Sequence, residues 1–462
     1  MTSILDEGRI SESLAAAPPP ERSRVAEALA KARELKGLGD EDVLALLAID
    51  EPDRLQELFD TARWAKQEIY GNRIVYFAPL YVSNLCANDC PYCAFRGANK
   101  ALTRRALSQD EVRRETEALI AEGHKRVLVV AGEAYPQGGL QYVFDCLRTV
   151  YSVRQPKGSI RRVNVNIAPL GVEEFRALKA EQIGTYQLFQ ETYHEPTYRR
   201  LHRQGAKADY RYRLEVMDRA LEAGLKDVGI GALFGLYDWR FEVLALLSHA
   251  RHLEARFGVG PHTISIPRLE PALGSPMSRR PPSEVGDRDF LKIIAVLRLA
   301  VPYTGMILST RESVAIRRQA LELGISQISA GSRTDPGGYG AAEQSTSGQF
   351  AVGDTRPLGE VVEDVLDSGH IPSFCTGCYR LGRVGKDFMD LAKPGLIKEH
   401  CLPNALLTFA EYLCDFAAPG LSQKGFATID RMVENDVPGP GLRTKVRRLL
   451  GRVRAGERDL YL

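Results

Sequence analysis

The 462-residue sequence lacks any uninterrupted apolar run near the ~20 residues that a membrane-spanning helix needs. Its first residues, Met1–Glu7, do not form the basic segment followed by an apolar segment that marks a secretory signal. Its formal net charge is only +2, so it has no general attraction to nucleic acid or anionic lipid. We therefore expect a cytoplasmic protein that binds neither nucleic acid nor a membrane.

Disulfides are also not expected, because the cytosol keeps thiols reduced. The chain nevertheless has 8 cysteines, and six of them fall in two tight groups, which indicates metal binding. Cys146 and Cys414 lie within amphipathic helical patterns, where we predict that both are buried as small apolar side chains.

Three segments differ in their pattern of apolar residues. Residues 1–72 have helical periodicity, interrupted by Pro18–Pro20, and are predicted to form an N-terminal helical wrapping. Residues 73–331 alternate short apolar or β-branched runs with amphipathic helices. Residues 332–462 are predicted to begin with a loop over 332–370, rich in Gly, Ser, Thr and Asp, and to continue as a C-terminal helical domain that carries the second cysteine group.

Eight strand-like runs occur in the middle segment, separated by helices. A (β/α)8 barrel typically has this number of strands in about 250 residues, and an open doubly wound sheet is the alternative. The predicted strands are Ile74–Pro79, Arg126–Ala131, Val163–Ala168, Thr185–Gln190, Val228–Phe234, Thr263–Pro267, Met306–Ser309 and Ile325–Ala330.

The first cysteine group follows the first predicted strand and comprises Cys86, Cys90 and Cys93. Barrel enzymes have their catalytic residues at the C-terminal ends of the strands, and this loop lies at such an end. Three thiolates can hold three irons of a [4Fe–4S] cubane and leave the fourth iron open to a ligand. A structural zinc site is the alternative, but it needs a fourth ligand, and the next downstream Cys or His is the distant His124.

The second cysteine group has the pattern Cys-x2-Cys-x22-Cys and comprises Cys375, Cys378 and Cys401. It again offers three thiolates, so a second cubane with one open iron is possible. His400 is available as a fourth ligand, which leaves a structural zinc site as the alternative.

The pattern Cys-x3-Cys-x2-Cys, with Tyr92 before the last cysteine, resembles the signature of the radical S-adenosylmethionine (SAM) superfamily. The resemblance implies that the open iron binds the amino and carboxylate groups of SAM, and that one electron cleaves SAM to a 5′-deoxyadenosyl radical. Gly132 and Glu133 match the family's turn that receives the methionine ammonium. We also assign Tyr92, Asn166 and Glu191 to cofactor binding.

The barrel and both cysteine groups together resemble the tyrosine lyases that mature [FeFe]-hydrogenase. The likeness extends over 76–96, Phe189–Tyr198, Gly260–Arg268, Leu308–Glu312 and Gln327–Thr334. The tyrosine lyases of thiamine biosynthesis, which make 2-iminoacetate, resemble the barrel but lack the C-terminal cysteine motif. A non-catalytic iron–sulfur scaffold and a zinc-stabilised binding module are further alternatives.

The resemblance implies a defined reaction. The radical removes hydrogen from the amino group of L-tyrosine, and Cα–Cβ cleavage releases p-cresol and dehydroglycine. Dehydroglycine becomes CO and cyanide at an auxiliary [4Fe–4S] cluster with an additional iron and a small-molecule thiolate, cysteine. The product serves assembly of the hydrogenase H-cluster, with transient contacts to the maturases HydE and HydF and to an electron donor.

Four residues are candidates for the substrate and the additional iron. A buried tyrosine zwitterion needs a cation for its carboxylate, and Arg311 is predicted to supply it, with hydrogen bonds from Ser309 and Ser332. The alternative is that Arg311 pairs with Glu312 or a neighbouring loop. By the resemblance, His262 binds the additional iron. Since it precedes a strand, it would lie at the opposite end of the barrel from the first cluster.

Overall fold

A computed structural model describes residues 4–17, 19–341 and 348–462. Pro18 and residues 342–347 of the predicted 332–370 loop lie outside the described residues. Within the described part, no helix is long and apolar enough to cross a membrane.

Eight parallel strands close into a barrel, because β1 (Arg73–Ser83) pairs with both its sequence neighbour and the last barrel strand. This closure confirms the (β/α)8 prediction and excludes the open sheet. Each predicted run overlaps an observed strand; the others are β2 (Arg126–Ala131), β3 (Arg162–Asn166), β4 (Tyr186–Gln187), β5 (Val228–Gly231), β6 (Thr263–Ser265), β7 (Gly305–Leu308) and β8 (Gln327–Ser329).

Helices surround the barrel and form the segments at both ends of the chain. The N-terminal segment is helical, as predicted, and contains α1 (Glu7–Ala16), α2 (Arg22–Ala32), α3 (Asp40–Leu47) and α4 (Pro52–Tyr70). The barrel segment contains α5 (Gln109–Glu122), α6 (Leu140–Ser152), α7 (Val172–Ala180), α8 (Glu195–Leu201), α9 (Tyr210–Leu214), α10 (Val216–Glu222), α11 (Trp239–Phe257), α12 (Pro276–Arg279), α13 (Asp287–Ala300) and α14 (Val314–Leu323), together with a short 3-10 turn (Ala206–Ala208). The C-terminal segment contains α15 (Leu358–Asp367), α16 (Gly377–Arg380), α17 (Lys386–Ala392), α18 (Ile397–Asp415), α19 (Pro419–Asn435) and α20 (Pro440–Arg454).

The C-terminal segment contributes a ninth strand, β9 (Ile371–Ser373), which was not predicted. It pairs in parallel with the start of β1, at Arg73–Val75, whereas β2 pairs with the later residues Ala78–Ser83. The prediction of a loop throughout 332–370 is wrong where α15 forms. The division into three domains at residues 72 and 331 stays a prediction.

The two cysteines outside the groups have different surroundings. Cys146 is buried on α6, as predicted. Cys414 is exposed near the end of α18, so the prediction that it is buried was wrong. The spacing of apolar residues predicts that a helix has a buried face. The width of that face varies along the helix, so the spacing does not fix whether a single residue such as Cys414 is buried.

A buried arginine joins the helices around the N-terminal end of the barrel. The guanidinium of Arg298, on α13, is fully buried. It donates hydrogen bonds to the carbonyl oxygens of Gly324, Pro302 and Thr304, at distances from 2.6 to 3.2 Å. Gly324 follows α14, and Pro302 and Thr304 follow α13. The Arg298 side chain therefore connects the two segments that lead into β8 and β7.

We expect Arg298→Met to lower the free energy of unfolding by at least about 3 kcal/mol, since three buried carbonyls lose their donor. Urea denaturation measures this change. Arg288→Met is the matched control on the same helix; its side chain is half exposed, and we expect a change within about 0.5 kcal/mol. Similar losses in both variants would contradict this role for Arg298.

Candidate functional site

A cavity of about 190 Å³ lies at the C-terminal ends of the strands. We call it the upper cavity. It brings together every sequence-predicted residue of the first cluster, cofactor and substrate sites: Cys86, Cys90, Cys93, Tyr92, Gly132, Glu133, Asn166, Glu191, Ser309, Arg311 and Ser332. The three cysteines are free thiols.

The first cysteine loop is held by a buried tyrosine and histidine. The Tyr92 hydroxyl lies 2.7 Å from Nε2 of His202, and His202 Nδ1 lies 2.9 Å from the carbonyl oxygen of Tyr198. Since the carbonyl can only accept, Nδ1 carries the proton and Nε2 accepts from Tyr92. Burial raises the pKa of Cys90 to about 12 and that of Cys93 to about 11. These thiols therefore ionise only when a cation, such as iron, compensates.

Gly132 lies where two pieces of backbone cross. Its amide donates to the carbonyl oxygen of Ser83, at 2.9 Å. A Cβ at this position would contact the carbonyl oxygen of Leu85 and lie 2.9 Å from the carbonyl carbon of the same residue. Only glycine therefore lets the loop that leads to Cys86 pass directly over the end of β2.

Two buried cations and two buried carboxylates form a network on one wall of the upper cavity. Arg213 donates to Glu133 at 2.8 Å and lies 3.4 Å from Glu191, which also pairs with Lys207. Asn88 donates to the second oxygen of Glu133, at 2.7 Å. Burial opposes ionisation of Glu133, but Arg213 and Lys207 outweigh it and hold its pKa below the usual value. The wall therefore carries balanced charge.

Sequence reasoning missed Lys207 and Arg213. They lie in a stretch that is rich in basic residues, and the pattern does not show which of them is buried. Arg213 is only 3% exposed, whereas the side chain of nearby Arg211 is 83% exposed. The assignment of both Glu133 and Glu191 to the cofactor site was the available signal, since two buried carboxylates need cations.

Arg311 extends into the upper cavity without a carboxylate partner in the described part of the chain. Its guanidinium stacks on the ring of Phe350, 3.3 Å from the ring centre, and its other contact is a long one, 3.4 Å, to the carbonyl oxygen of Arg268. Glu312 instead accepts hydrogen bonds from Arg268. The alternative that Arg311 pairs with Glu312 is therefore wrong, whereas a neighbouring loop does contribute the Phe350 ring.

The two predicted serines of the substrate site differ. Ser309 lies beside Arg311, and its Oγ accepts from the Arg311 backbone amide at 3.4 Å. The Oγ of Ser332 is buried and has no hydrogen-bond partner among the described residues. A buried hydroxyl without a partner is costly unless a ligand supplies one.

A second cavity, of about 60 Å³, lies at the opposite end of the barrel, and we call it the lower cavity. It is lined by Cys375, Cys378, Cys401 and His262, so the structure brings together all four residues predicted for the auxiliary site. Cys375 lies two residues after β9, Cys378 lies on α16 and Cys401 lies on α18. These are free thiols as well.

His262 has an unused nitrogen in the lower cavity. Its Nδ1 is buried without a hydrogen-bond partner in the described part of the chain and lies 3.7 Å from a carboxylate oxygen of Asp227. Such a nitrogen is suited to bind iron. His400, the alternative zinc ligand, is half-buried on α18 and is not among the described residues that line this cavity.

The described cysteines, histidines and carboxylates form no group of three or more that is arranged around a single metal ion. A zinc ion needs four ligands that converge on one point. The thiolates of a cubane bind different irons and so lie further apart. Each cysteine group offers three thiolates, the number that a cubane with one open iron takes.

Family models match the two halves of the barrel. A model of the radical SAM superfamily matches residues 80–247, and a model of the biotin and thiamin synthesis associated domain matches residues 265–371. The fold and the first cysteine loop thus define a radical SAM enzyme. Membership implies a [4Fe–4S] cluster and SAM as cofactors.

Solved structures and a curated relative narrow this class. The chain superposes on HydG, "a maturase of the [FeFe]-hydrogenase", with a TM-score of 0.96 and 48% identity, over 99% of this chain and 100% of that one. For HydG from Carboxydothermus hydrogenoformans the TM-score is 0.84 and the identity 41%, over 97% of each chain. The 2-iminoacetate synthase of Escherichia coli is 34% identical over 75% of this chain and 89% of that relative. The chain belongs to the HydG family of radical SAM enzymes, which confirms the predicted resemblance.

We expect Gly132→Ala to push the loop before Cys86 away from β2, because backbone atoms cannot move aside as a flexible side chain can. The added methyl group should lower the free energy of unfolding by about 1–3 kcal/mol and reduce the iron bound after anaerobic reconstitution. Urea denaturation and iron analysis measure both effects.

Gly451→Ala is the control for that variant. Gly451 lies within α20, and a Cβ there meets nothing within 4 Å. Alanine should stabilise this helix by up to about 1 kcal/mol and leave iron binding unchanged. Full iron binding by Gly132→Ala would contradict the role of the close crossing.

Proposed function

We propose that this chain is a tyrosine lyase that cleaves the Cα–Cβ bond of L-tyrosine to p-cresol and dehydroglycine, and converts dehydroglycine to CO and cyanide on iron for assembly of the [FeFe]-hydrogenase H-cluster. One observation carries the proposal: two separate three-cysteine sites lie at opposite ends of one barrel, and Arg311, which has no carboxylate partner among the described residues, extends into the upper one. The likeness to HydG maturases supports it.

The upper cavity fits the first cluster and SAM. Cys86, Cys90 and Cys93 would hold three irons, and Tyr92, Gly132, Glu133, Asn166 and Glu191 would contact SAM. When bound, the reduced cluster supplies the electron that cleaves SAM and yields the 5′-deoxyadenosyl radical. The chain's own contribution is to keep this wall electrically balanced through Lys207 and Arg213, so that a zwitterionic methionine group can enter without leaving a buried charge unpaired.

Arg311 would hold the substrate's carboxylate. Phe350 covers one face of the guanidinium, so the planar N–H edges stay available to a carboxylate in the bidentate geometry that arginine favours. Ser332 would satisfy its free Oγ on the same substrate, and Ser309 would support the Arg311 backbone. Fixing the carboxylate orients the amino group of tyrosine toward the cofactor side of the cavity.

The lower cavity fits a second cluster. Cys375, Cys378 and Cys401 would hold it, and His262 would bind an additional iron that also carries a small-molecule thiolate, cysteine. The free Nδ1 of His262 and its place among the three cysteines support this assignment. We further propose transient contacts with HydE, HydF and an electron donor.

A 2-iminoacetate synthase of thiamine biosynthesis is the second candidate function. The 34% identity to the Escherichia coli enzyme favours it. Such an enzyme would need the upper cavity and would make no use of the lower one. The two candidates therefore differ in whether the second cysteine group takes part in the chemistry.

The double variant Cys375→Ala with Cys378→Ala tests this difference. We expect CO to fall to near nothing while p-cresol survives at a reduced rate, because tyrosine cleavage needs only the upper site. Both products are measured from one anaerobic reaction with SAM, reductant and tyrosine. His262→Ala should show a milder form of the same loss.

Cys414→Ala is the control for the double variant, since Cys414 is exposed on the same C-terminal segment; both products should stay unchanged. Replacing Cys86, Cys90 or Cys93 with Ala should abolish p-cresol as well. If the double variant still made CO in proportion to p-cresol, the thiamine-type lyase would be the better proposal.

We expect Arg311→Lys to weaken apparent tyrosine affinity by roughly tenfold or more, because an ammonium cannot reproduce a bidentate fork on a carboxylate. The measurement is p-cresol formation against tyrosine concentration. Arg318→Lys, an exposed position on the following helix, should leave the curve unchanged. Unchanged affinity in Arg311→Lys would remove Arg311 from the substrate site.

A further inference from the structure

Arg73 in the lower cavity differs from Lys207 and Arg213, two buried cations of the upper cavity, because it has no partner among the described residues. In the upper cavity, Lys207 and Arg213 both pair with carboxylates. In the lower cavity, Arg73 is only 9% exposed, yet its side chain forms no hydrogen bond and no ion pair with any residue in the described ranges. Its contact with an aromatic ring is with Tyr70, 5.3 Å from the ring centre.

The place of Arg73 is fixed by the sheet. It is the first residue of β1 and pairs with Ile371 of β9, a few residues before Cys375. Its side chain lines the lower cavity together with Cys375, Cys378 and Cys401. It therefore faces the whole second cysteine group.

The other charged groups that line the lower cavity each have at least one hydrogen-bond partner. Arg126 donates to the carbonyl oxygen of Cys375 at 2.7 Å, and Arg383 donates to the carbonyl oxygen of Leu462 at 2.8 Å. Asp227, the carboxylate that lines this cavity, accepts from the amide of Gly385 at 2.8 Å. Asp227 also lies 3.7 Å from Nδ1 of His262, and no ion pair joins it to Arg73.

A buried guanidinium without an acceptor is unfavourable, and a native structure keeps one only where another charge completes the site. A cluster held by three thiolates is anionic and presents sulfur atoms that accept hydrogen bonds. We propose that Arg73 is the counter-cation of the auxiliary cluster, whose sulfur atoms complete its missing interactions. This inference rests on the proposed function, which places a cluster in the lower cavity.

Two consequences separate this role from a merely structural one. Reduction adds an electron to the cluster, so a nearby cation favours the reduced form and raises the reduction potential. The cluster should also stabilise the wild-type chain more than a chain without the cation, since only the wild type carries an unpaired charge before the cluster binds. Arg73 is thus a positioning residue that acts through the cluster.

The experiment compares Arg73→Met and Arg73→Lys with the wild type, using the full chain. Each protein is reconstituted anaerobically, and its iron content is measured. The potential of the auxiliary cluster is followed by electron paramagnetic resonance during a redox titration, and thermal unfolding is measured with and without clusters. Arg380→Met is the matched control, because Arg380 lies near Cys378 but pairs with Asp459 at 2.5 Å.

We expect Arg73→Met to shift the potential to more negative values and to gain less thermal stability from its clusters than the wild type. Arg73→Lys should lie between the two, and Arg380→Met should match the wild type. Loading of the Lys variant but not of the Met variant also supports the proposal. If neither the Met nor the Lys variant binds the auxiliary cluster, the stabilities of the cluster-free proteins decide. A cluster-free Arg73→Met at least as stable as the cluster-free wild type supports the proposal, and a less stable Arg73→Met contradicts it.

A loaded Met variant with the wild-type potential and the wild-type gain in stability would contradict this inference alone. A wild-type chain that binds iron for only one cluster would contradict the proposed function and this inference together. Iron analysis of the wild type therefore distinguishes the two failures.

Discussion

The alternation of side chains along β1 is the constraint on which both sites depend. Successive side chains of a strand point to opposite faces, so every second residue of β1 faces the barrel interior. Arg73 and Val75 line the lower cavity, and Phe77, Pro79 and Tyr81 line the upper one. At about 3.3 Å per residue, Arg73 and Tyr81 are roughly 26 Å apart. A shift of register by one residue would turn all five side chains away from both cavities.

Burial makes charge balance the second constraint, and the two ends of the barrel meet it in different ways. The upper wall balances Glu133 and Glu191 with Lys207 and Arg213, and Arg311 has no carboxylate partner among the described residues. In the lower cavity, Arg73 has no hydrogen-bond or ion-pair partner in the part of the chain that the structure describes. An unpaired buried charge is tolerated in a folded chain where a bound group of opposite charge neutralises it. Arg311 and Arg73 therefore each indicate a binding site for an anion.

The features that the sequence predicts well are local ones. Three cysteines within eight residues indicate their site through spacing alone, Arg311 is predicted from its position after a strand, and His262 from the family resemblance. Features that depend on distant pairing were missed. The strand β9 has three residues, including Pro372, and exists because it pairs with the edge of β1. The burial of Arg213 depends on Glu133, which follows β2, and Glu191, which follows β4, and no local pattern reveals this pairing.

The lower site is built on the rim of the barrel, and this explains why its cysteines alone do not define it. The residue that begins β1 faces the three thiols, and the one that begins β2, Arg126, donates to the carbonyl of Cys375. Asp227, just before β5, accepts from Gly385, and His262, just before β6, contributes a free nitrogen. Without the segment that follows residue 370, these four polar side chains would have no common partner. The rim and the second cysteine group therefore form one structural unit, because a change on either side leaves buried polar groups on the other unsatisfied.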